Sequence, residues 1–272
     1  MHSQLTSTMN TFQAIILAII EGITEFLPIS STGHMAVASA FFKIEDDAFT
    51  KLYLVVIQLG AILAVTIIYW RKLFNFVNYK FYLKLIIAML PAIVAGVGLI
   101  DFIKDALGNT LMISIILVIG GFILLGVDKW FKDGTIDEEP KITYKNAFII
   151  GVYQVLAVAL PGLSRSAATI IGGMQQKLTR SIAAEFSFFL AIPTMCAATA
   201  KSLYDIWKEQ PNLLNTSGIE MILLGSLIAF IVALFSIKFL ISFLQKNGFR
   251  LFGWYRIIIG TVLILLILNG KL

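Results

Sequence analysis

Cysteine is almost missing. Cys196 is the single one in 272 residues, so the chain can form neither an internal disulfide nor a cysteine-based metal site. Charge is also scarce: Asp, Glu, Lys and Arg make up 14% of the residues, against about 25% in ordinary soluble domains, and hydrophobic residues reach 58%. That composition excludes a soluble domain and indicates an integral membrane protein. The net charge of +5 comes from basic residues in short gaps between apolar runs, where they set topology, so no nucleic-acid partner is expected. The first ten residues, MHSQLTSTMN, hold no Lys or Arg for a signal-peptide n-region and no small-residue cleavage site precedes the first motif, so the segment is expected to be retained.

A bilayer-spanning helix needs about 20 mostly apolar residues. Six segments come close, at residues 52–70, 83–100, 111–127, 185–200, 219–237 and 251–268. Two further apolar runs, 11–20 and 146–160, are too short to cross, and each breaks at a proline, Pro28 and Pro161. Proline lacks an N–H and pushes the preceding residue out of helical geometry. The chain is therefore expected to enter the membrane, turn near mid-depth and return as a second short helix. Irregular backbone at that depth must line a cavity or be buried in protein.

The two short runs resemble each other without gaps. AIILAIIEGITEFLPISST from Ala14 aligns with AFIIGVYQVLAVALPGLSR from Ala147, which sets Pro28 on Pro161 and Ser31 on Ser164. The expected fold is all-α: one polytopic membrane domain, residues 1–272, with six transmembrane helices and two re-entrant helical hairpins. Its halves, about 1–138 and 139–272, each hold three spans, an odd number, so they form an inverted-topology repeat with sites near the bilayer midplane. With the N-terminus outside, the 21 Lys and Arg residues divide fourteen to six in favour of the cytoplasmic side. The fourteen include Lys84 and Arg256, the six are Lys43, Lys51, Lys104, Lys201, Lys208 and Lys271, and Arg165 remains inside the membrane.

The motif EGITEFLPISSTGH, residues 21–34, concentrates polar groups where they are least expected. Glu21 and Glu25 lie four apart, so both project from one helix face. Carboxylates so placed repel unless a cation or proton sits between them, and oxygen ligands suit Mg²⁺ or Ca²⁺. After Pro28, Ser30 or Ser31 can cap a new helix whose free N–H groups form a ready anion site. PGLSRS repeats the arrangement, with hydroxyls on Ser164 and Ser166 and a guanidinium fork on Arg165 matched to phosphate oxygens. If the two breaks meet, the inventory suits phosphate. Ser31 needs a base to act as a nucleophile, and His34 or Glu25 could supply it. His34 could also protonate a leaving oxygen, whereas His2 reads as a tail residue.

At these residues the sequence resembles the undecaprenyl-diphosphate phosphatases, also called bacitracin-resistance proteins. EGITEFLPISSTGH matches the family's first motif throughout, and PGLSRSAATI matches its second, PGxSRSGxT, except that Ala167 replaces the usual glycine. The resemblance implies a multi-pass bacterial inner-membrane enzyme, dependent on a divalent cation and open to the outer side. It would hydrolyse undecaprenyl diphosphate to the monophosphate and inorganic phosphate, recycling the carrier lipid for envelope polymers. It further implies that Glu21 and Glu25 are the catalytic carboxylates, which on the reading above also hold the metal, that Ser31 is the proposed nucleophile and His34 an essential histidine. Arg165 would bind phosphate, supported by Ser30, Thr32, Ser164 and Ser166. The expected partners are a polyprenyl diphosphate and membrane lipid, and a homodimer is left open. The runner-up is a polyprenyl-phosphate transporter or flippase, since inverted repeats with broken helices also build carriers. A carrier, however, has no need of a nucleophile beside a base.

Overall fold

A computed structural model of the chain describes residues 9–99, 102, 106 and 108–270; His2, Lys104 and Lys271 lie outside the described residues. Helix α1 (Thr11–Thr24) starts where Asn10 and Gln13 cap each other's backbone N–H groups. It ends at Glu25, the chain turns around Pro28, and α2 (Ser31–Phe41) leaves the turn. Next come α3 (Ala48–Val56) and α4 (Gln58–Ile68), separated by Ile57 alone and forming one span. A short α5 (Trp70–Leu73) leads to α6 (Tyr79–Gly98) and α7 (Thr110–Trp130). The second half runs through α8 (Tyr144–Ala159), α9 (Arg165–Gln175), α10 (Arg180–Glu209), α11 (Thr216–Asn247) and α12 (Arg250–Leu268).

Six stretches are long and apolar enough to cross a membrane: Ala48–Ile68, α6, α7, α10, α11 and α12. They fall on the six expected segments. Helices α10 and α11 run to 30 and 32 residues, longer than expected. Hydropathy finds the part that meets lipid, whereas the backbone goes on forming helix through polar turns such as KSLYDIWKE. The short apolar helices are α1 and α8.

Local geometry repeats between the halves. Thr143 and Asn146 build the same capping box before α8 that Asn10 and Gln13 build before α1, 133 residues earlier. Helices α2 and α9 both have 11 residues, and both start from a serine N-cap at positive φ, Ser30 at 71° and Ser164 at 75°. Both also end in a left-handed lysine, Lys43 and Lys177, with matching carbonyl contacts from the residues that follow. This corrects the gap-free alignment: Ser164 corresponds to Ser30, and Arg165 to Ser31. The second break has two residues, Gly162 and Leu163, between proline and cap where the first has only Ile29. Gly162 is obligatory there, because its φ is +97° and a Cβ would lie 2.6 Å from the Ile113 carbonyl oxygen.

Packing crosses between the halves. Helix α1 lies along α11, α8 lies along α6, and α7 pairs with α12. Small residues let the backbones approach, as expected where no hydrophobic effect drives helices together in lipid. The segment joining the halves is docked: the buried ion pair Lys84–Glu139 (2.8 Å) ties it to α6, and Ile136 bridges to Leu178. Asp128, near the end of α7, accepts from Arg180 Nε and from the Phe249 backbone N–H, both at 2.8 Å, fixing the starts of α10 and α12. One basic residue does not sit where the charge count put it. Arg256 lies six residues into α12, fully buried, because the span is apolar enough to carry one charge that finds partners inside.

The tightest of these approaches gives a stability prediction. A Cβ on Gly151 would lie 2.1 Å from the Ala88 carbonyl oxygen, whereas one on Gly96 meets nothing within 4 Å. Gly151→Ala should destabilise the protein by about 1–3 kcal/mol and Gly96→Ala should not, read as melting temperature in detergent. Equal melting for both variants contradicts this packing.

Candidate active site

Glu25 ends α1, and Ser31 and Arg165 are the first residues of α2 and α9. The two breaks place these first residues on either side of one carboxylate. Ser31 Oγ donates to Glu25 Oε2 at 2.5 Å, and Arg165 Nη2 donates to Glu25 Oε1 at 2.6 Å. Glu25 and Ser31 are each 7% exposed, so the pair is close to dry. An ion pair withdrawn from water is held only when geometry and further hydrogen bonds complete it. Arg165 has these: its Nη1 donates to the Ser187 carbonyl at 3.1 Å, and Nη2 also contacts Met195 Sδ at 3.1 Å.

The caps complete the junction. Ser30 Oγ accepts from Gly33 N–H, and Ser164 Oγ from Ala167 N–H. Positive φ is uncommon for a serine and is held only where surroundings over-determine it, commonly at functional sites. Ser166 Oγ crosses from the second break to the first, donating to the Leu27 carbonyl at 3.0 Å, and lies 2.9 Å from Ser164 Oγ. Thr32 is half-buried, and its hydroxyl has no hydrogen-bond partner among the described residues.

Glu21 lies one helical turn before Glu25. It is fully buried, and neither carboxylate oxygen has a hydrogen-bond partner among the described residues. A charged carboxylate in that position calls for a cation or a proton. These residues fit a hard divalent ion on a definite pattern. Glu21 offers two unengaged oxygens and Glu25 retains lone pairs beyond its two contacts, yet no group of three or more His, Cys, Asp or Glu is present among the described residues. Two protein carboxylates completed by ligand phosphate oxygens and water are the usual Mg²⁺ arrangement, unlike the oxygen cage of Ca²⁺.

His34 stands apart from Ser31. Its Nδ1 lies 2.7 Å from the Ser30 carbonyl and its Nε2 2.8 Å from the Tyr255 hydroxyl, whose ring stacks on the imidazole. A carbonyl only accepts, so the neutral ring carries its proton on Nδ1 and Nε2 accepts from Tyr255. His34 also edges a cavity of about 410 Å³ lined by apolar residues of α1, α2, α7 and α12, among them Ile16, Val37, Leu117 and Val262. Beside Tyr255, Arg256 donates to the carbonyls of Pro28 (3.3 Å), Gly162 (2.8 Å) and Leu163 (2.8 Å), all within the two breaks.

Thus Glu25, Ser31, Arg165, Ser30, Ser164 and Ser166 come together as the motifs suggest, with Glu21 one turn away. Of the two candidate bases, Glu25 and not His34 touches Ser31. Ser187, Met195, Tyr255 and Arg256 belong to the surroundings and were missed in the motifs. An arginine inside an apolar span was a legible signal; Tyr255 carried none.

The chain is thus a polytopic helical membrane protein whose two breaks present a serine, a carboxylate and an arginine to one point, a donor set chemically matched to phosphate. The chain is a member of the bacitracin resistance protein BacA family, which residues 14–262 match. It is 53% identical to the Undecaprenyl-diphosphatase of Flavobacterium johnsoniae, over 95% of this chain and 96% of that protein. The Undecaprenyl-diphosphatase of Flavobacterium psychrophilum is 52% identical over 95% and 96%, and that of Porphyromonas gingivalis W83 45% identical over 96% and 98%.

The imidazole network predicts a tautomer. In a His2→Ala variant only His34 remains, and ¹⁵N NMR of histidine-labelled protein should place the neutral ring's proton on Nδ1. A proton on Nε2 contradicts the network.

Proposed function

We propose that the chain is an undecaprenyl-diphosphatase, a membrane hydrolase that splits undecaprenyl diphosphate into undecaprenyl phosphate and inorganic phosphate. The observation that carries this reading is the double engagement of Glu25, by a hydroxyl that can attack phosphorus and a guanidinium that can hold phosphate oxygens. Phosphoryl transfer depends mostly on positioning and charge stabilisation. When the terminal phosphate arrives, Arg165 shares its fork between Glu25 and the phosphate oxygens. The N–H groups at the starts of α2 and α9 face the same charge. Ser31 Oγ then bonds to the terminal phosphorus as its proton passes to Glu25 Oε2. The anhydride bond breaks, and the lipid monophosphate leaves with the electron pair. Water next bonds to phosphorus as the bond to Ser31 Oγ breaks; Oγ takes back the proton from Glu25, and the water's proton leaves with the phosphate as hydrogen phosphate.

Glu21 and Glu25 are the residues that would hold a divalent cation, which supplies charge neutralisation for the diphosphate when bound. His34 is assigned a positioning role: it holds the Ser30 carbonyl and so the start of α2. The leaving lipid monophosphate is stable as an anion and makes no demand for a general acid. The prenyl chain lies in the apolar cavity beside His34.

The finer architecture belongs to this reading. The halves, about 1–138 and 139–272, form an inverted repeat with α1–α2 and α8–α9 as re-entrant hairpins. Support comes from their matched caps and from reciprocal packing, α1 on α11 and α8 on α6. With Arg256 removed from the count, the Lys and Arg residues still favour one side, which supports a site open to the outer face of the bacterial inner membrane.

Phosphate release from undecaprenyl diphosphate in detergent tests the reading. Release should need a divalent cation and fall by about 100-fold or more in Ser31→Ala and in Arg165→Ala. A folded native protein that binds the lipid but releases no phosphate contradicts it.

A further inference from the structure

We propose that Arg256 is a positioning residue for this reaction, setting the two breaks in register so that Ser31 and Arg165 meet at Glu25. The proposal rests on the phosphatase reading. A guanidinium has five N–H donors in a fixed fork, and here each finds a separate backbone carbonyl. Nε donates to Leu117 (3.2 Å), Nη1 to Pro28 and Leu163 (3.3 and 2.8 Å), and Nη2 to Ile116 and Gly162 (3.4 and 2.8 Å). No carboxylate is among these partners, so the charge is dispersed over carbonyl dipoles.

The carbonyls explain the choice of residue. Those of Pro28, Gly162 and Leu163 belong to the irregular turns, where backbone groups inside a membrane still need partners. The other two belong to α7, where they already serve a helix. One side chain therefore joins three separate pieces of backbone: the first break, the second break and α7. Pro28 stands three residues before Ser31, and Leu163 two before Arg165. Any relative shift of the breaks moves the nucleophile against the phosphate-binding arginine. Room for the fork comes from Gly120 on α7, where a Cβ would lie 2.2 Å from Arg256 Nη2. Lysine, with three donors on a flexible stem, cannot bridge the same set.

The test compares Arg256→Gln, Arg256→Lys and Gly120→Ala by kcat and KM for phosphate release from undecaprenyl diphosphate, with melting temperature alongside. Misplacement of reacting groups by about 1 Å lowers turnover by roughly 100-fold, the loss expected for Arg256→Gln. Arg256→Lys should recover only part of it. Gly120→Ala, which keeps the arginine and its charge, should lower kcat by about tenfold while KM stays within about threefold of native. Because both sites act through one fork, Gly120→Ala with Arg256→Lys should be no worse than the poorer single variant. Native kcat in Arg256→Lys, or losses that multiply in the double variant, overturns the proposal. If Arg256→Gln does not fold, the two charge-retaining variants decide it. Lack of phosphate release by the native chain instead removes the phosphatase reading.

Discussion

The contact between Glu25 and Arg165 is the one on which the remaining geometry depends. It joins the end of α1 to the start of α9, across 140 residues of chain, in surroundings that exclude most water. Neither charge is tolerable alone when so buried. Each therefore requires the other half of the molecule to be in place, and the breaks at Pro28 and Pro161 bring their helix ends close enough for this. Ser31 reaches the same carboxylate because it occupies in α2 the position that Arg165 occupies in α9. The equivalence of these two first residues, one a hydroxyl and the other a guanidinium, turns a repeated scaffold into an asymmetric site.

Burial makes such a site both expensive and exact in its demands. Irregular backbone buried in protein cannot count on water, so each N–H and carbonyl of the two breaks needs a protein partner. Ser30 and Ser164 accept from the N–H groups of Gly33 and Ala167, Ser166 donates to the Leu27 carbonyl, and Arg256 serves three more carbonyls. Glu21 is the exception, a buried carboxylate with no hydrogen-bond partner among the described residues. Its isolation is consistent with a role completed by a cation and the ligand's own oxygens.

Much of this was legible in the residues. The six spans followed from apolar length, the short runs from their prolines, and the meeting of the two motifs from their shared pattern. The one-residue slip between Ser30 and Ser164 was not legible, because Gly162 adds a residue to a turn whose shape depends on the Ile113 carbonyl of another helix. Arg256 was counted on the cytoplasmic side although it falls inside the expected span 251–268. Its five partners come from three distant segments that no local pattern joins. His34 read as a base for Ser31 because they lie three residues apart, yet Ser30 and Tyr255 occupy both its nitrogens. Spacing along a helix says which side chains share a face, not which contacts they make.

On the proposed reading both breaks hold one phosphate between them. The most direct measurement is an experimental structure of the chain with a polyprenyl methylenediphosphonate, whose carbon bridge cannot be hydrolysed. The terminal phosphonate should hydrogen-bond to Arg165 with its phosphorus within reach of Ser31 Oγ, and the prenyl chain should lie in the cavity beside His34. A headgroup bound away from Arg165, with the Glu25 contacts undisturbed, would contradict the account.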